Sequence, residues 1–316
     1  MCAINACISA IKTCRIQALI AVLLTLVGSQ LWAAPPGSPW GKEYFPNVQL
    51  INQDGKKLKF YDDLLKDKVV AINFIYTHCG NSCPAETASL KQVKKLLGDR
   101  VGKDIFFYSI SVDPEHDTPA VLKDYANRFR VGEGWQFLTG HKEDVVLIRK
   151  KFGLYRGDNT EQGKPDQHSI NFIIGNESTG QWMKKTPFDE PKSLAWLLSY
   201  TLPANKIKPE GNRTSYHEAK QYAKPGKAED IFRFRCQACH SLGVDDGLGP
   251  GLLNVVNNRG RAWLTKWLKA PDEMLAAKDP IAIKQFEKFD RIIMPNLKLT
   301  DAEVKALIDY LDENSK

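Results

Sequence analysis

Two cysteines and a histidine, Cys236, Cys239 and His240, form the pattern Cys-x-x-Cys-His in the C-terminal part of the chain. This pattern is typical of a covalent c-type haem site, because the two thiols can form thioether bonds to the haem and the adjacent imidazole can ligate the iron. A zinc site would need a second pair of ligands, and no such pair follows the motif. The motif therefore predicts haem c, attached at Cys236 and Cys239 and ligated by His240.

A haem that transfers electrons commonly has methionine as its second iron ligand, and methionine raises the reduction potential. Two methionines, Met274 and Met294, follow the haem motif. Met294 precedes Pro295, which stops helix formation and holds the chain extended. Met274 lies in a polar stretch, where we expect it only to pack. We therefore predict Met294 as the second iron ligand.

The segment from about residue 226 to the end resembles a class I cytochrome c. The resemblance rests on a predicted first helix, the haem motif, the run Leu248-Gly-Pro-Gly-Leu252, and the Met-Pro loop before a final helix. Thr300 and Glu303 have the spacing of a capping box at the start of that helix. The resemblance implies a small all-α domain in which the carbonyl group of Pro250 accepts a hydrogen bond from the iron-ligating imidazole.

A second pair of cysteines, Cys79 and Cys83, follows an apolar run that predicts a buried strand. The spacing Cys-x-x-x-Cys is one residue longer than that of the common redox motif. It permits a disulfide, and it also allows both sulfurs to bind one soft ion. Pro84 suits the first position of a helix, so we expect Cys83 at a helix N-terminus, where the helix dipole favours the thiolate.

Two thiolates and an imidazole suit copper, Cu(I) especially. The candidate imidazoles are His78, His116, His141 and His168. We favour His168, which lies in a loop directly before another predicted buried strand, although the residues alone leave this choice open. His78 adjoins Cys79, and neighbouring side chains at a strand end point to opposite faces.

Strand-like and helix-like segments alternate through the first two thirds of the chain. Buried strands are predicted near residues 69–76, 105–112 and 170–174, and helices over 86–97, 119–129 and 143–152. This alternation is typical of an α/β sheet covered by helices.

The same segment resembles the Sco/SenC family of thioredoxin-fold copper proteins over about 160 residues. Three motifs carry the resemblance: Cys79-x-x-x-Cys83-Pro84, Ser111-Val-Asp-Pro-Glu-His-Asp-Thr-Pro119, and Gln167-His168-Ser169. It implies an α/β thioredoxin-like domain with copper bound by Cys79, Cys83 and His168. It also implies a role in delivering copper to, or reducing thiols of, the binuclear copper centre of cytochrome c oxidase.

This chain departs from the family pattern at two positions. Gln167 stands where the family commonly has Asp, and Gly80 stands where it commonly has Pro. We expect these changes to affect the orientation of His168 and the mobility of the cysteine loop, and therefore copper affinity, without altering the fold.

The first 33 of the 316 residues contain no acidic residue, and Lys12 and Arg15 precede an apolar run. This is the pattern of a signal peptide, with an uncleaved membrane anchor as the alternative. We therefore expect a periplasmic protein, either soluble or anchored to the inner membrane by this segment. The predicted organisation is a leader (1–33), a Sco-like domain (34–202), a polar linker (203–225) and a cytochrome c domain (226–316).

The net charge of +7 is spread without a dense basic block, which argues against nucleic acid and suits an acidic protein partner. The expected partner is the copper subunit of a respiratory oxidase or another periplasmic redox protein. Membrane contact is expected only through an uncleaved leader. The linker would allow the haem and the cysteine pair to exchange electrons without a tight interface between the domains.

Two other functions remain open from the sequence. Cys79 and Cys83 would be the redox-active pair of a thiol–disulfide oxidoreductase or peroxidase that exchanges electrons through the haem. In the other alternative, the protein is a plain electron carrier, and its first domain serves only to dock on a partner. Whether the protein is an enzyme is therefore not decided by the sequence.

Overall fold

The first domain is built on one mixed sheet. The computed structural model describes residues 40–80, 82–155, 171–201 and 226–316, and within these residues the sheet has seven strands in the order β2-β1-β5-β4-β3-β6-β7. The strands are β1 (Gln49–Asn52), β2 (Lys57–Lys59), β3 (Val69–Ile75), β4 (Ile105–Ser111), β5 (Trp135–Gly140), β6 (Phe172–Asn176) and β7 (Gln181–Lys185).

The three central strands β3, β4 and β5 run parallel, and the neighbouring strands pair antiparallel to them. Every residue of β3 is buried, as expected for a strand covered on both faces. In the register of β3 and β4, Ile75 pairs with Ser111, so both strands end at the same edge of the sheet. The loop that carries Cys79 leaves the sheet from this edge.

Helices cover the sheet, in agreement with the predicted α/β pattern. They are α1 (Cys83–Leu97), α2 (Pro119–Arg128), α3 (Lys142–Lys151) and α4 (Pro191–Trp196). The first of them begins at Cys83 and has Pro84 in its first turn, so the predicted position of Cys83 at a helix N-terminus is confirmed. One apolar cluster between helices and sheet contains both Cys79 and Cys83.

The C-terminal domain is helical. Its helices are α5 (Lys227–Ile231), α6 (Val255–Arg259), α7 (Arg261–Lys269), α8 (Pro271–Ala276), α9 (Pro280–Lys288) and α10 (Asp301–Asn314). The predicted capping box is confirmed at the start of α10: Thr300 Oγ1 accepts from the backbone N–H of Glu303, whose carboxylate accepts from the backbone N–H of Thr300. Four apolar residues of α10 pack into the core, namely Val304, Leu307, Ile308 and Leu311.

The first helix of this domain differs from the prediction. Instead of one α-helix, α5 is followed by a wider π-helical turn, Phe232–Cys236. The backbone N–H of Gln237 closes this turn on the carbonyl of Phe232 at 2.9 Å. Such turns are frequent at functional sites, and this one leads directly into the haem motif.

The described residues between 40 and 316 belong to one compact unit. The predicted leader, the linker and His168 lie outside the described residues, so the leader, the domain boundaries and the copper role of His168 stay predictions. No helix in the described part of the chain is long and apolar enough to cross a membrane.

Candidate functional site

The sheet edge and helix α1 bring Cys79 and Cys83 together. The backbone N–H of Cys79 donates to the carbonyl of Tyr76 at 3.3 Å, which turns the chain just after β3. Cys83 is the first residue of α1. Their side chains are hydrogen-bonded to each other, and they are only 2% and 0% exposed.

Burial controls the protonation of this pair. It raises the pKa of Cys83 well above the usual value, and the hydrogen bond with Cys79 and the negative charge of Glu86 act in the same direction. At Cys83, burial therefore acts against the thiolate, in the direction opposite to the effect expected of the helix dipole. A bound cation would reverse this balance, since a coordinating thiol is deprotonated outright.

Glu86 is a feature of the site that the sequence analysis missed. It lies three residues after Cys83 on α1, and only 2% of it is exposed. Burial raises its pKa to about 8, against the lowering effect of a hydrogen bond from Ser82, and the charge of Cys79 raises it further. Its proximity to the cysteines follows from the i, i+3 spacing on a helix, whereas its burial could not be read from the sequence.

A buried carboxylate, Asp117, fixes the strand ends below the cysteine loop. It accepts hydrogen bonds from the backbone N–H of Thr77 at 3.2 Å, from Thr77 Oγ1 at 2.5 Å and from Ser111 Oγ at 2.5 Å. These three bonds join the ends of β3 and β4 and so determine where the chain departs toward Cys79. Asp117 was part of a recognised motif, but this role was not predicted.

The described histidines of the first domain do not gather around the cysteines. His116 Nδ1 lies 2.9 Å and His78 Nε2 3.5 Å from Asp113 Oδ2, and the hydrogen bond with Asp113 raises the pKa of His116. His141 precedes α3 and is exposed. Among the described residues, no group of three or more His, Cys, Asp or Glu side chains is arranged to hold a metal ion. His168, which lies outside the described residues, stays the predicted third copper ligand.

The haem motif lines a mainly apolar cavity with a volume of about 190 Å³. The predicted haem residues that line it are Cys236, Cys239, His240, Pro250 and Met294. Met274 is not among the described lining residues. The set of two thiols, an imidazole and a thioether in one apolar cavity fits a covalently bound haem.

The environment of His240 suits a neutral metal-ligating imidazole. Its Nδ1 lies 2.8 Å from the carbonyl oxygen of Pro250, so the hydrogen bond implied by the resemblance is present. A carbonyl oxygen only accepts, so the proton lies on Nδ1 and Nε2 keeps its lone pair. Burial lowers the pKa of His240, against the effect of this hydrogen bond, and favours the neutral ring. Iron ligation itself stays a prediction.

Two residues of the first domain also line this cavity. Pro84 and Ala85, directly after Cys83 in α1, face the same space as Cys239 and Met294. The polar linker predicted that electron exchange between the domains needs no tight interface. The structure places the start of α1 against the cavity that contains the haem motif.

Comparison with known proteins assigns both parts of the chain. The SCO1/SenC family model matches residues 40–196, and the Cytochrome c family model matches residues 205–315. An SCO1 protein homolog from Bacillus subtilis is 37% identical over 97 residues, which is 30% of this chain but only 48% of that protein's length. An SCO2-like protein from Rickettsia felis is 29% identical over 161 residues, 48% of this chain and 74% of that protein.

A solved structure also resembles the chain. The structure of Bradyrhizobium japonicum ScoI with copper bound is 27% identical and superimposes with a TM-score of 0.40, covering 48% of this chain and 94% of that one. The assignment to families rests on the two family models and the sequence relatives. The chain thus joins a thioredoxin-like domain of the SCO1/SenC family to a C-terminal cytochrome c domain.

Proposed function

We propose that this protein is an exported redox protein that binds copper through Cys79, Cys83 and His168 and carries covalent haem at Cys236 and Cys239. In this proposal it serves the assembly of the copper centre of cytochrome c oxidase, by delivering copper or by copper and thiol redox chemistry. The haem exchanges electrons with the cysteine site.

The observation that carries the copper part is the burial of two neighbouring cysteines in one apolar cluster at the start of α1. Thiolate ligands select soft ions such as Cu(I), and burial keeps water and competing hard ligands away from them. Membership of the first domain in the SCO1/SenC family supports the same reading. His168 would complete the ligand set.

The haem part is supported by the cavity in the second domain. Cys236 and Cys239, the proposed attachment points, line the same space as His240 and Met294. Burial raises the pKa of both cysteines to about 12, as expected for thiols in apolar surroundings. A histidine and methionine ligand pair would suit electron transfer.

A thiol–disulfide oxidoreductase is less well supported. Reactive cysteines sit in partly exposed, electropositive surroundings that lower the thiol pKa. Here both thiols of the pair are buried, and the pKa of Cys83 is raised.

Export, the periplasmic location and the oxidase partner are part of the proposal, which the predicted leader and the family support. The net charge of +7 would suit a partner with an acidic surface.

A copper titration of the haem-loaded full chain tests the proposal. We expect about one cuprous ion per protein, as a two-thiolate, one-imidazole site requires, together with the absorption of a covalently attached haem. Cys79→Ser, Cys83→Ser and His168→Ala should each abolish copper binding, whereas the control His141→Ala should bind normally.

Two outcomes contradict this function. Redox activity that survives His168→Ala but not Cys83→Ser would favour the oxidoreductase. A protein matured in the periplasm that lacks both covalent haem and copper affinity would exclude a function for either centre.

A further inference from the structure

The contact between the two domains is centred on the cysteine loop. Gly80, next to Cys79, accepts a hydrogen bond at its carbonyl oxygen from the backbone N–H of Asn296 at 3.4 Å. Asn296 lies two residues after Met294, the predicted iron ligand. The loop of one redox centre therefore touches the loop of the other.

Apolar packing continues this contact beneath the surface. Leu248 of the cytochrome c domain belongs to the same buried cluster as Cys79 and Cys83. Cys239 and Ile292 are partly buried and pack against that cluster. Together with Pro84 and Ala85 in the cavity wall, these residues connect the apolar cluster around the cysteine pair to the cavity.

Polar contacts surround this apolar centre. Gln92 Nε2 donates to the carbonyl of Gln237 at 3.1 Å, and Arg128 Nη1 donates to the carbonyl of Arg291 at 3.5 Å. An ion pair joins Arg130 to Asp290 at 2.6 Å. The arrangement of an apolar centre and a polar rim is that of a specific protein interface.

The backbone at the ion pair supports a specific interface. Arg130 follows helix α2 with φ 50°, and Asp290 follows helix α9 with φ 55°. Glycine or asparagine usually occupies this left-handed position after a helix. Here two oppositely charged side chains occupy it on the two domains and meet each other.

We propose that the cytochrome c domain docks on the cysteine loop of its own first domain, and that Pro84 and Ala85 form part of the haem cavity wall, so that electrons pass directly between the two centres of one molecule. This inference rests on the proposed function, because it requires both centres to be loaded. Cys83 and Pro84 are consecutive residues, so the covalent chain itself leads from the sulfur site to the cavity wall.

The transfer is balanced by the two centres alone. Transfer of one electron from a cuprous ion at the cysteine site to ferric haem would leave a cupric ion and ferrous haem, and transfer in the other direction would restore both. No proton and no further reactant is required. The first domain thus provides the surface on which the cytochrome c domain docks, and one chain carries both electron-transfer centres.

Charge reversal across the rim tests the docking. Asp290→Arg places two guanidinium groups against each other, and adding Arg130→Glu restores an attractive pair with the charges exchanged. The matched control is Asp54→Arg, which reverses an exposed acidic residue that pairs with Lys123 inside the first domain at 3.0 Å. Each protein is prepared as the full chain with haem and copper bound.

Two measurements are made on each variant. Amide hydrogen exchange over residues 85–92 reports docking without any redox chemistry. Flash photoreduction of the haem in the copper(II)-loaded protein, followed by its re-oxidation, reports the transfer. Docking requires that the wild-type rate be first order and independent of protein concentration.

We expect Asp290→Arg to accelerate exchange and to slow re-oxidation, each by roughly two- to fivefold, since the variant turns the modest attraction between two partly exposed charges into repulsion. The double variant should recover both values, and Asp54→Arg should match the wild type. Any other pattern, including unchanged re-oxidation despite faster exchange, overturns the inference. Loss of copper or haem from the wild type would instead contradict the proposed function, so the two failures are distinguishable.

Discussion

Gly249 lies directly against the imidazole of His240: a Cβ atom built on Gly249 would be 2.5 Å from Cε1 of that ring. Such a separation is shorter than any normal contact, so a side chain at this position must displace the ring. The close approach belongs to the same turn that presents the Pro250 carbonyl to Nδ1 of His240. Glycine is required here for space.

Gly249→Ala should therefore disturb the haem site. We expect the cytochrome c domain to lose about 1–3 kcal/mol of stability through overpacking and the haem to lose part of its histidine ligation. Absorption spectra and thermal unfolding of the haem-loaded protein check both effects. Gly243→Ala is the control, because a Cβ there meets no atom within 4 Å. Identical spectra for the two variants would contradict the predicted role of His240.

A second prediction compares substitutions at the two methionines that follow the haem motif, Met294 and Met274. Met294 lines the cavity and Met274 is not among its described lining residues. Met294→Leu should preserve packing but remove the thioether ligand, lowering the haem reduction potential by on the order of 0.1 V within the span of about 0.8 V that axial ligands set. A redox titration measures the shift. Met274→Leu should leave the potential unchanged, and an equal shift in both variants would argue against Met294 as a ligand.

Asp117 should be essential to the first domain. Asp117→Ala leaves the buried groups of Thr77 and Ser111 without their acceptor, and each unsatisfied group costs about 1–3 kcal/mol. We expect a loss of at least about 3 kcal/mol in the free energy of unfolding, measured by urea denaturation. The exposed residue Asp99 is the control, and Asp99→Ala should stay within about 0.5 kcal/mol of the wild type. A loss below about 1 kcal/mol for Asp117→Ala would mean that the three bonds do not hold the strand ends together.

The lowered pKa of Glu303 predicts that the stability of the cytochrome c domain depends on pH. Hydrogen bonds from the backbone N–H and the side chain of Thr300 lower the pKa of Glu303 from 4.5 to about 2. Because the folded pKa is depressed, the resulting stabilisation is complete above pH 4.5 and is lost as the pH falls through about 2. Thermal unfolding between these pH values should show a steeper loss of stability in the wild type than in Glu303→Gln.

The control for this series is Glu313→Gln at the exposed end of the same helix, which should follow the wild-type curve. Parallel curves for the wild type and Glu303→Gln would show that the capping box does not stabilise the domain through its carboxylate.

Local patterns in the sequence predicted the elements that hold the two centres. The continuous apolar run of β3, the proline at the start of α1 and the capping box of α10 each specify their structure through neighbouring residues. Cys83 was therefore placed correctly at a helix start. The raised pKa of Cys83 and the burial of Glu86 were not predictable, because both depend on side chains that pack from distant parts of the fold.

The contact between the domains lay beyond the sequence for a related reason. Gly80, Gln92 and Arg130 on one side, and Asp290 and Asn296 on the other, form no periodic pattern. Each is an ordinary loop or surface residue, and its role in the contact is visible only when the relative position of the two domains is known. A polar linker alone indicates that two domains are joined, without indicating which faces meet.

Gly80 and Pro84 are in contact with the cytochrome c domain. A metal-accepting protein that approaches Cys79 and Cys83 must therefore compete with this domain, which is covalently linked to the cysteine site. Such a tethered competitor has a local concentration on the order of millimolar. An acceptor present at micromolar levels would have to bind roughly a thousandfold more tightly to displace it. The rate of metal release would then depend on how often the two domains separate, and not on the concentration of the acceptor.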